Sequence, residues 1–310
     1  MATGLVRNDD PCLPWADSIV EAVSETTDRF IRWRGIDFVV RANDRAPMHA
    51  VDALRSNDSP LSLPENLADA VRRYGVGQPV PGDRERLVQA TAHTTSQAAA
   101  LSSPLFDNIG GIHQQEADLD DGLADVWTQE RLSQLWSKTD SAQFVPAEDV
   151  PDFAFAGRNP AAAAAARALM TEIVRQQGDT PAGPEDYAAL SDWLISIKPE
   201  ERYGEILSLL PGTDELPPRD LLRAEATLRN GFTEAVTRND PSLAATAVQA
   251  ASEKIDPQLR RLVEDSAMAP ARGAIAAQTG GGVGVGVGVG VGTTGPSTTH
   301  PSRDQRGIGS

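Results

Sequence analysis

The sequence predicts a mainly α-helical protein, either a helical bundle or two helical subdomains, with one short β-strand and a disordered C-terminal tail. Apolar residues recur at three- and four-residue steps through much of the chain, and proline or glycine stands at the ends of these segments. Residues 282–292 alternate glycine with valine. Such a segment cannot pack a core, because glycine loses the most backbone entropy on ordering and valine alone buries too little apolar surface.

The N-terminal region is predicted to contain three helices and the strand. A helix over residues 14–34 ends at Gly35 as its left-handed C-cap, and its apolar residues form one stripe. That stripe consists of Trp15, Ile19, Ala22, Val23, Thr26, Phe30 and Trp33. Residues 36–41 alternate briefly between apolar and polar and are rich in β-formers, which predicts the strand. Short helices follow at residues 47–55 and 64–74.

Two longer helices are predicted next, at residues 83–101 and 120–137, with an irregular segment at 102–118 between them. Five carboxylates lie around the start of the second helix: Glu116, Asp118, Asp120, Asp121 and Asp125. Their spacing does not match a calcium loop, because Asp121 stands where that loop requires its turn glycine. We therefore expect a solvated acidic loop that ends in an aspartate N-cap, and no metal site.

Proline marks the start of most predicted helices in the second half, where the first helical residue has no partner for its N–H. These helices cover residues 161–177, 185–197, 200–210, 218–237, 242–253 and 258–269. Residues 146–160 are rich in proline and glycine and indicate a domain boundary. The predicted division is an N-terminal helical subdomain at 1–150, an alanine-rich helical bundle at 151–277 and a tail at 278–310.

Composition indicates a soluble protein of the cytoplasm. The net charge of −16 argues against a nucleic-acid coat held by overall electrostatic attraction. The single cysteine, Cys12, cannot form a disulfide within the chain. The N-terminus has no apolar core of a signal peptide, and no segment approaches the roughly 18 apolar residues of a membrane span, so we expect no membrane partner.

No motif for phosphate, dinucleotide, zinc or nucleophilic chemistry occurs in the sequence, so we predict no catalytic residue, no cofactor and no metal. The four histidines are too dispersed to indicate a metal centre from spacing alone. An enzyme without a recognisable motif remains an alternative. Its first candidate groups are His93, His113 and the carboxylates between Glu116 and Asp125.

An arginine and aromatic cluster near the N-terminus is the one candidate binding site. Its residues are Arg29, Arg32, Arg34, Arg41 and Arg45, interleaved with Phe30, Trp33 and Phe38 and extended by Arg72 and Arg73. Such a mixture is typical of surfaces that bind phosphates and stack on bases, which predicts a local RNA or anion groove. The alternative is structural: the arginines complement a helix dipole, and the aromatic residues belong to a buried stripe.

Alanine, proline and serine together make up 86 of the 310 residues. With an alanine-rich helical body and a tail, the chain resembles the proline-alanine-serine-rich proteins of polymyco-type fungal RNA viruses. This resemblance covers composition and layout, and it implies association with a viral RNA genome, a coat-like role and a place in the virion. It carries no functional residue over to this chain.

We therefore expect a non-enzymatic structural protein that self-assembles, associates with a viral RNA genome, or does both. Its first predicted partner is a further copy of itself, and its second is RNA. The tail is nearly neutral, with Arg303 and Arg306 against Asp304, so we interpret it as a spacer and not as a polybasic arm. The main alternative is a helical adaptor or regulator that binds another protein.

Overall fold

The part of the chain that the computed structural model describes is mainly α-helical, which confirms the predicted fold class. The described residues are 9–31, 33, 35–39, 61–102, 114–153, 155, 157–177, 183–213 and 216–252. The helices predicted at 47–55 and 258–269, and the tail predicted at 278–310, lie outside these residues.

The first helix, α1, spans Cys12–Thr27 and is shorter than the predicted helix 14–34. It ends at Asp28, which adopts a left-handed conformation with φ 52° and serves as the C-cap in place of Gly35. Aspartate tolerates this conformation better than most residues. The hydroxyls of Thr26 and Thr27 donate to carbonyls one turn earlier, an interaction that weakens a helix end. Phe30 therefore lies beyond the helix and outside its buried stripe.

A two-stranded parallel sheet follows α1. Strand β1 spans Ile36–Val39, within the predicted strand 36–41, and pairs in parallel with β2, Leu61–Pro64, so that Ile36 lies opposite Leu61. Strand β2 was not predicted. The local pattern that indicates this strand is the alternation of apolar and polar residues at 61–63. Leu61 and Leu63 are both buried in the core, as this alternation implies.

Helix α2 spans Glu65–Gly75 and α3 spans Asp83–Leu101, both close to the predicted limits. Helix α4 spans Gln114–Trp136 and begins six residues before the predicted start at residue 120. The two short 3-10 turns that follow it are η1, Asp140–Gln143, and η2, Ala147–Asp152.

The second half forms five described helices. Helix α5 spans Pro160–Gln177, α6 Pro184–Ser196, α7 Arg202–Ser208 and α8 Pro218–Arg238, and residues 242–252 form α9. Proline occupies the first position of α5, α6 and α8, as predicted from its missing N–H.

Helix α4 is the centre of the core, and it packs against α1, α3, α5, α6 and α8. Its buried side chains include Leu123, Trp127 and Trp136. The chain divides into one unit at Met1–Leu262 and a second at Val263–Ser310. The boundary predicted near residue 150 lies inside the first unit, where α4 packs along α5.

Small residues allow close helix approach at two places. A Cβ added to Gly122 of α4 would lie 2.5 Å from the Ala162 carbonyl oxygen on α5. A Cβ added to Gly231 of α8 would lie 2.3 Å from the Ala247 Cβ on α9. The alanine-rich faces therefore serve to bring helix backbones together inside the protein.

Candidate functional site

The predicted arginine groove falls only partly within the described residues. Arg32, Arg34, Arg41 and Arg45 lie outside them, whereas Arg29, Arg72 and Arg73 are described. Arg29 donates through Nη1 to the Ser102 carbonyl at 3.2 Å and through Nη2 to the Ser196 carbonyl at 2.7 Å. These carbonyls lie at the C-terminal ends of α3 and α6, where a cation complements the helix dipole. Arg29 thus ties two helix ends together.

Arg72 and Arg73 on α2 bind carboxylates of the same chain. Arg72 donates to Asp10 and to Asp69, each at 3.0 Å. Arg73 forms a bidentate pair with Asp83, in which both N···O distances are 2.7 Å. Both arginines are therefore neutralised by carboxylates within the chain.

The three described arginines also do not share one surface. Asp10, the partner of Arg72, precedes the N-terminus of α1, whereas Arg29 follows its C-terminus. Helix α1 has 16 residues, and at 1.5 Å per residue it separates the two positions by about 24 Å.

Asp83 is the centre of a hydrogen-bonded clamp at the start of α3. Its carboxylate is fully buried and accepts from Arg73, from Arg86 Nη1 at 3.0 Å and from the Val80 N–H at 2.9 Å. The hydrogen bonds from Arg73 hold the pKa of the Asp83 carboxyl well below its ordinary value, against the opposing effect of burial. The clamp therefore fixes the loop that precedes it.

That loop, residues 76–82, is exposed along its whole length, and we refer to it as the clamped loop. It presents two large apolar side chains, Val76, 61% exposed, and Val80, 47% exposed. Gly77 and Gly82 have φ values of 70° and 87°, which glycine adopts without steric cost. The loop thus displays apolar groups on a backbone with a set shape.

A second apolar side chain is exposed near the other end of α1. Phe30 is 82% exposed, two residues after the left-handed Asp28. Glu21, Glu25 and Asp28 form an exposed acidic stripe at helical spacing that leads to it. Lys138 binds Glu25 at 3.1 Å on this surface.

The predicted solvated acidic loop at 116–125 is wrong, because these residues lie on α4 and most of their carboxylates are buried. Three arginines from other elements bind them. Arg229 of α8 contacts Glu116 at 2.5 Å, and Arg202 of α7 binds Asp120. Arg158, just before α5, lies 2.9 Å from Asp121.

The carboxylates on α4 favour the charged form of Arg158. Burial works to lower the pKa of Arg158, but the carboxylates of Asp121 and Asp125 outweigh it and raise that pKa. Arg202 is fully buried and also donates to the Leu194 carbonyl at the end of α6. Sequence patterns did not indicate Arg158, Arg202 and Arg229, because their partners lie 37 to 113 residues away along the chain.

Of the two histidines named for the enzyme alternative, His93 lies in the described part of the chain, within electrostatic range of Asp125. His113 lies outside the described residues. His93 Nε2 donates to the Ser62 carbonyl at 3.1 Å, and burial, followed by the charge of Arg158, lowers its pKa to about 4. A groove of about 490 Å³ lies elsewhere, lined by Arg175, Gln176, Pro211, Gln249 and Ser252.

Comparison with protein-family models, curated proteins and solved structures finds no match to this chain. Within the described ranges, no helix is both long enough and apolar enough to cross a membrane. The same residues contain no group of three or more histidine, cysteine, aspartate or glutamate side chains that could hold a metal ion.

Proposed function

We propose that this protein is a non-enzymatic structural protein that self-assembles. The observation that supports the proposal is the clamped loop, which exposes Val76 and Val80 on a backbone held by the buried Asp83 carboxylate. Apolar side chains on a preorganised loop bind a partner at low entropic cost, because little conformational freedom remains to be lost.

The acidic composition is compatible with this role. A net charge of −16 keeps separate copies soluble and opposes non-specific aggregation. Association then requires a specific contact in which apolar burial exceeds the mutual repulsion. Such a contact becomes stronger as salt rises to physiological levels, because screening weakens the repulsion between the acidic bodies.

Size-exclusion chromatography with light scattering over a range of protein concentrations tests the proposal. We expect a mass that rises with concentration beyond a dimer, and particles of regular size by electron microscopy. A monomer at every concentration, with and without added RNA, would contradict self-assembly. A defined complex with a different protein and no higher assembly would favour the adaptor alternative instead.

Association with a viral RNA genome is a second part of the proposal. It is based on the resemblance in composition to the proline-alanine-serine-rich viral proteins. Of its predicted arginines, Arg72 and Arg73 are bound to aspartates, so binding would depend on Arg32, Arg34, Arg41 and Arg45. The ratio of absorbance at 260 and 280 nm in the same chromatography reports retained nucleic acid. A quadruple variant in which those four arginines are replaced by glutamine should lose any RNA that the unmodified protein retains.

A further inference from the structure

We draw no further inference here: the strongest candidate, the groove of about 490 Å³ at the C-terminal ends of α5 and α9, carries nothing because its arginine and glutamine side chains already bind the Glu172 carboxylate and leave no charge to select a ligand.

Discussion

The side-chain amide of Gln97 on α3 pairs with both backbone polar atoms of Ser62 in β2. The Ser62 N–H donates to Gln97 Oε1 at 2.7 Å, and Gln97 Nε2 donates to the Ser62 carbonyl at 2.6 Å. The neighbouring Leu61 N–H faces the other way and donates to the Gly35 carbonyl before β1. The amide thus occupies the place of a third strand and closes an edge of a two-stranded sheet.

Gln97→Leu should destabilise the protein by about 2 to 4 kcal/mol. The substitution keeps the side-chain volume but leaves a partly buried N–H without a partner and removes a donor from the carbonyl. Urea denaturation followed by circular dichroism measures the change. Gln89→Leu on the same helix is the control, because Gln89 binds only exposed Glu85 among the described groups, and its effect should stay near 0.5 kcal/mol.

Asp83→Asn should loosen the clamped loop and lower stability by about 3 kcal/mol, because the amide cannot replace a buried carboxylate that binds two arginines. Hydrogen exchange at Val80 measures the loop directly. The folded-state pKa of Asp83 is depressed, so its stabilisation is complete above the unfolded pKa of about 3.9 and is lost as pH falls below it. The difference in stability between D83N and the unmodified protein should therefore shrink below about pH 4. A constant difference from pH 6 to pH 3 would contradict the clamp.

His93 should remain neutral in the folded protein down to a pH of about 4. Its unfolded pKa is about 6.5, so the folded-state value is depressed and the associated stability is lost as pH falls from about 6.5 toward 4. NMR titration of the histidine rings, with His93→Gln to assign the signal, measures this pKa. A titration midpoint near 6.5 would show that Arg158 and burial do not act on the ring as described.

Two glycine substitutions should have opposite signs. Gly231→Ala should destabilise the protein, because its Cβ would lie 2.3 Å from the Ala247 Cβ and force α8 and α9 apart, at a cost of about 1 to 3 kcal/mol. Gly204→Ala on α7 meets no atom within 4 Å and should stabilise by about 0.5 to 1 kcal/mol, because alanine favours the helix. Thermal and urea unfolding of both variants compare them directly. Stabilisation by Gly231→Ala would contradict the close contact of the two helices.

Local patterns predicted most of the helices but not where each one ends. The limits of α3, Asp83–Leu101, agree with the predicted helix 83–101. The end of α1 was predicted wrongly, at Gly35. The helix ends earlier in the chain because Asp28 adopts a left-handed conformation and serves as its C-cap. As a result, Phe30 is exposed on the surface of the molecule, whereas the prediction placed it in the buried stripe of the helix.

The candidate site was less predictable, since its charges have partners far away in the sequence. From the sequence, we predicted two exposed charged surfaces: one formed by the arginine cluster near the N-terminus and one formed by the carboxylates between Glu116 and Asp125. In the structure, Arg72 and Arg73 neutralise aspartates near the clamped loop, and Arg202 neutralises Asp120 inside the core. Pairing over long sequence separations depends on how helices pack, and no periodicity encodes it.

The mainly helical fold follows from local sequence patterns, because the repeat of apolar residues and the positions of proline and glycine act within a few residues. Helix packing, in contrast, determines which charged groups are paired inside the protein and which apolar side chains are exposed. Burial of an ionisable group is tolerated when a partner from another helix reaches it, as Arg202 reaches Asp120. Val80 is exposed in the loop that Asp83 holds through a hydrogen bond. Phe30 is exposed because the left-handed Asp28 ends α1 before it.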